Sequence, residues 1–81
     1  MMNTIEPTKS HVDMINEWPS LAEFAEDIGV SYGTAKAMRR RGSVPSEYWV
    51  VMVSKAAERE IAGVTFAALA EAVAKQPEAA E

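Results

Sequence analysis

Lys36, Arg39, Arg40 and Arg41 crowd the middle of the chain, with the small or hydroxyl-bearing residues Ser31, Tyr32, Gly33, Thr34 and Ala37 before and between them. Guanidinium and ammonium groups donate to phosphate oxygens and to the O6 and N7 acceptors of guanine. Hydroxyls at a helix start can bind an anion where the helix dipole already favours one. Glycine and alanine let backbone come close to a partner, and an alanine methyl can touch the methyl of thymine. The chemistry on offer is recognition of a polyanion rather than bond-making. Catalysis has little to draw on: one histidine, no cysteine, no glycine-rich phosphate loop after a strand, and no paired carboxylates with an evident pocket. No enzymatic activity, small-molecule substrate or cofactor is expected, and the lone His11 has no partner at metal-ligand spacing.

These residues need a helix to place them. At ~100° per residue, Ala35 and Met38 define its buried side, and Gly33, Lys36, Ala37 and Arg40 its opposite side. Lys36 and Arg40 are therefore the expected base readers. Arg39 and Arg41, at the flank and end, are expected on phosphates. Ser31, Tyr32 and Thr34 can reach phosphate or base, although Tyr32 could equally be half-buried packing. Ser31 is the expected N-cap and Gly42 the expected end of the helix.

Upstream, Leu21, Phe24, Ala25 and Ile28 recur at i, i+3, i+4, i+7, the stripe of an amphipathic helix. Ser20-x-x-Glu23 reads as its capping box, Glu23, Glu26 and Asp27 as its solvated face, and Gly29 as a sharp left-handed stop. A short first helix is expected from Ser10 to Glu17, ended by Trp18-Pro19, with Val12 and Ile15 inward; both tryptophans read as core. Pro45 suits the start of a fourth helix running through Tyr48–Val53 and beyond, although six apolar residues in a row also fit a buried strand. Thr65 could cap a last helix burying Phe66, Leu69, Ala70 and Val73. The organisation is a flexible start (1–9), one folded domain (10–75) and a flexible tail (76–81).

The 81 residues allow one domain near the lower limit for an independent core. A hydrophobic fraction of 48% excludes a disordered chain. No apolar run approaches the ~20 residues of a membrane span, the polar start is not a signal peptide, and the absence of cysteine suits the cytoplasm. The net charge of −4 hides an asymmetry: residues 1–30 carry −5, residues 31–60 carry +3, and residues 61–81 carry −2. Local charge governs binding, because the potential decays within a Debye length of ~8 Å.

The stretch Leu21–Arg40, with Ala25, Gly29 and the apolar positions through Met38, resembles the lambda-repressor-like superfamily of Cro and phage-repressor type. Arg41-Gly42-Ser43-Val44-Pro45 followed by Tyr48-Trp49 is similar to small Cro-like regulators of bacteria and prophages. The resemblance covers roughly residues 11–75. It implies an all-α, five-helix domain with a helix-turn-helix at about residues 20–41, whose third helix enters the major groove of operator DNA to regulate transcription, as a repressor does. It departs from the family at Ser31-Tyr32-Gly33-Thr34, where glutamines often read adenine. Two other readings stand beside it. One is an excisionase-like winged helix with residues 43–53 as its wing. The other is a repressor-like adaptor or antirepressor that binds protein. A weak homodimer through Tyr48–Val53 and the last helix is expected from the apolar surplus there and from two-fold half-site geometry.

Overall fold

The computed structural model describes residues 9–75. The expected flexible ends therefore lie outside the described residues, apart from Lys9, which is tethered to Glu17 by an ion pair of 2.9 Å. The fold is all-α: α1 (His11–Ile15), α2 (Leu21–Ile28), α3 (Tyr32–Arg41), α4 (Trp49–Glu58) and α5 (Phe66–Lys75), with no strand among the described residues. Among the described residues, no helix is long and apolar enough to cross a membrane.

Each of the first three helices opens on a serine whose hydroxyl accepts a backbone N–H three residues on: Ser10 from Asp13, Ser20 from Glu23, Ser31 from Thr34. Only Ser10 completes the reciprocal box, its own N–H donating to the Asp13 carboxylate. At Ser20 the carboxylate expected to reach back, Glu23, is instead engaged by Arg59. Helix α1 is shorter than the sequence suggests, closing at Ile15. The chain then turns through Asn16 and Glu17 so that Trp18 enters the core at 4% exposure.

Helix α2 stops at Gly29, whose φ of 80° lets its N–H and that of Val30 both return to the Ala25 carbonyl. Ser31 then starts α3 immediately, so α2 and α3 pack against each other across a three-residue turn. Helix α3 ends the same way: Gly42 has φ 75°, and its N–H and that of Ser43 both meet the Met38 carbonyl. Residues 43–53 form no wing. After Pro45, a 3-10 turn over Ser46–Tyr48 leads directly into α4. That helix ends with Glu60 in the left-handed region, φ 62°, its N–H on the Ala57 carbonyl.

The core gathers Met14, Ile15, Phe24, Met38, Val44, Met52 and Leu69, all nearly sealed from solvent, around Ala25 and Ala35. The run Tyr48–Val53 is largely absorbed by this core. Met52 is buried, Tyr48, Trp49, Val51 and Val53 pack half-buried against it, and Val50 alone is exposed. Helix α5 faces otherwise than expected. Leu69 is buried with Ala68 and Ala72 beside it, while Phe66 and Val73 are about half exposed and Ala70 points to solvent.

Candidate nucleic-acid interface

Helix α3 is held by one side and bare on the rest. Ala35 and Met38 are its buried residues, and Ser31, Tyr32, Gly33, Thr34, Lys36, Arg39, Arg40 and Arg41 are all exposed. Ala37, expected on the outward side, is half-buried. The structure thus brings the nine candidate residues onto one element and leaves eight of them accessible.

Their local bonding divides the roles. The Ser31 hydroxyl accepts from the Thr34 N–H at 3.1 Å and donates to the Thr34 Oγ1 at 3.0 Å. Ser31 is therefore committed to capping, and Thr34 keeps its own hydroxyl proton to donate outward. Tyr32 is not core packing: it is 53% exposed, with the Lys36 ammonium 5.8 Å from its ring centroid. That cation–π contact lays both side chains along the first turns of α3. Gly33 has an ordinary φ, and a Cβ placed on it would meet only the Ser31 Oγ, at 3.9 Å. The fold itself makes no demand for glycine there.

The charges sort sharply. Lys9 pairs with Glu17, Lys55 with Glu58, and Arg59 with both Glu23 and Asp27. Lys36, Arg39, Arg40 and Arg41 form no ion pair among the described residues. Glu23 and Asp27, expected on a solvated face, are instead paired by Arg59, which withdraws that cation from the positive middle third. Arg59, at the C-cap of α4, reaches α2. Its Nε donates to Asp27 Oδ2 at 2.6 Å and its Nη1 to Glu23 Oε1 at 2.9 Å. The Trp18 indole N–H adds a second donor to Asp27 Oδ2, at 2.8 Å. Nothing in the local sequence signals this, since Asp27 and Arg59 are 32 residues apart.

The Arg59 guanidinium, helped by the Trp18 N–H and opposed by partial burial, holds the Asp27 carboxyl below its usual range. A carboxyl lowered in the folded state adds stability that is fully present above the unfolded value, about 4, and is lost as pH falls through the folded one. Replacing Arg59 by Gln should therefore lower the Tm near neutral pH. The gap between wild type and Arg59→Gln should close below about pH 4, which thermal melts across pH would record.

His11 is buried and has no outward role. Its Nδ1 accepts from the Val44 N–H at 2.9 Å and its Nε2 meets the Leu69 carbonyl at 3.0 Å, which fixes the neutral tautomer with the proton on Nε2. Its ring stands edge-on to Trp49, 6.0 Å between centroids.

Neither family models, nor curated proteins, nor solved structures give a match to this chain.

Proposed function

We propose that the chain is a sequence-specific duplex-DNA-binding regulator in which α2, the turn at Gly29–Ser31 and α3 act as a helix-turn-helix, with α3 docked in the major groove. One observation carries this reading. Among the described residues, the cations that form no ion pair, Lys36, Arg39, Arg40 and Arg41, all stand on one exposed helix, while Lys9, Lys55 and Arg59 are bound to carboxylates. A surface built only for solubility has no reason to sort its charges this way; a surface built for phosphates does. The turn chemistry and apolar spacing of α2 and α3, similar to those of Cro and repressor proteins, support the same reading. Lys36 and Arg40 read bases, Arg39 and Arg41 hold phosphates, and Thr34 donates at the helix start.

Val50, Phe66 and Val73 are exposed apolar residues. They supply surface for a weak homodimer assembled over two half-sites one helical turn apart. The same surface, with the net charge of −4, favours a second reading, a protein-binding adaptor of repressor-like fold.

Titration with duplex DNA from a genomic library separates the two. The DNA reading expects affinity to fall with a log–log salt slope of about −0.9 per phosphate contacted. It also expects Arg40→Ala to cost ~1–3 kcal/mol of specific binding. A flat salt response, or an Arg40→Ala variant with unchanged affinity and preference, would leave the adaptor reading standing.

A further inference from the structure

Three residues beyond the last arginine of α3, the chain does something unusual for a connecting segment: it buries Val44. The residue is 2% exposed, and both of its backbone polar groups are taken by side chains from other elements. Its N–H donates to His11 Nδ1 from α1, at 2.9 Å. Its carbonyl accepts from the Trp49 indole N–H of α4, at 2.8 Å. The other nitrogen of the same histidine meets the Leu69 carbonyl of α5, at 3.0 Å, and the two rings touch edge to face. Two helices, α1 and α4, are thus tied at Val44, and His11 carries the link on to α5. Between Val44 and Arg41 there is no slack either, since the N–H groups of Gly42 and Ser43 are both turned back onto Met38.

We propose that His11 and Trp49 are positioning residues for the α3 interface. By clamping Val44, they set where the basic end of α3, Arg39–Arg41, stands before any duplex arrives. This inference rests on the DNA reading above. The physical case is one of supply and demand for hydrogen bonds. A buried backbone N–H and C=O must be paired, and a loop usually pairs them with water or with its own turn. Here the pairing comes from two rigid rings anchored in other helices, so the loop cannot shift without breaking bonds to α1 and α4 together. Because the arginines end the helix that this loop continues, their backbone inherits the same restraint. Contact with several phosphates at once requires that the donors already be at the right spacing.

The test uses His11→Gln and Trp49→Phe in the full chain. Trp49→Phe keeps an aromatic ring against His11 and removes the donor to Val44 at the cost of some ring volume, so it carries the test should His11→Gln fail to fold. Amide hydrogen exchange, duplex affinity and salt dependence are read on the folded variants. Exchange at Val44 is expected to accelerate in His11→Gln. Affinity should fall about three- to tenfold in either variant, the worth of a hydrogen bond. The log–log salt slope should shrink by about 0.9, one phosphate contact. A merely structural role would lower the Tm and leave the salt slope where it was. Variants that stay folded and bind with wild-type affinity and slope overturn the clamp alone. Wild-type protein that ignores duplex DNA at low salt overturns the DNA reading and the clamp with it.

Discussion

Gly33→Leu is expected to raise the Tm and lower duplex affinity at the same time. In the first turn of α3, Gly33 is exposed, its φ is not the left-handed kind that calls for glycine, and only the Ser31 Oγ, at 3.9 Å, lies near where a Cβ would be. Glycine in a helix costs roughly 0.5–1 kcal/mol relative to alanine, through the backbone freedom it loses. Leucine recovers most of that, and nothing in the fold resists it. For a domain of this size the gain corresponds to a shift of a few degrees, about 4–8 °C per kcal/mol. On the proposed docking, the same side chain has no room against the wall of a groove: it would hold the backbone off and carry Lys36 and Arg40 away from the base edges. A tenfold or greater loss of affinity, about 1.4 kcal/mol, is the expected result. Gly33→Ala should show the same two signs at smaller size. Differential scanning fluorimetry and fluorescence anisotropy with labelled duplex check both halves. A variant that is more stable and binds as well as wild type would place Gly33 outside the contact.

Phe24→Ala should come close to unfolding the protein. The ring is 0% exposed and meets Trp18 edge-on with centroids 5.1 Å apart, at the place where α2 is held against the core. Truncating a buried phenylalanine costs ~3–5 kcal/mol, part lost transfer energy and part the cavity left behind. Domains as small as this one sit towards the lower end of the ~5–15 kcal/mol that native proteins command. The urea midpoint followed by circular dichroism should therefore fall by about half or more. Phe66→Ala is the control. That ring is 50% exposed at the start of α5 and should cost a small fraction as much. Equal losses in the two variants would mean that α5 is rotated from the orientation described, with Phe66 in the core.

What could be read from the sequence is what local rules encode. The stripe of Leu21, Phe24, Ala25 and Ile28 is buried as its spacing demands, and Gly29 and Gly42 both take the left-handed conformation that stops a helix. Ser10, Ser20 and Ser31 all cap. Each of these signals lies within a few residues of the structure it specifies. The misreadings arise where partners are distant. The carboxylates of α2 look solvated until Arg59 folds back from 32 residues away. His11 looks idle until Val44 and Leu69, 33 and 58 residues on, supply its two bonds. The facing of α5 failed for a different reason. In a helix so rich in alanine the apolar period does not identify one face, and it is Ala68 and Ala72, with Leu69, that meet the core while Phe66 and Val73 stay half exposed. Within the candidate interface, the exposure of the cations and of Gly33 on α3 was legible. The engagement of Ser31 with Thr34 and the half-burial of Ala37 depend on side-chain geometry that spacing does not fix.

Because α3 is closed at both ends, by the Ser31 hydroxyl at one and by the left-handed Gly42 at the other, it is complete before it meets anything. A segment that folds upon its partner gives up conformational entropy at that moment and buries interior surface along with interface. Helix α3 has neither debt nor reserve of this kind. In a calorimeter its association with a duplex would show a heat-capacity change set by dehydration of the two meeting surfaces, with no contribution from helix formation. Its selectivity among sequences would then be that of a rigid template, governed by how well each groove fits rather than by how far the protein can adapt.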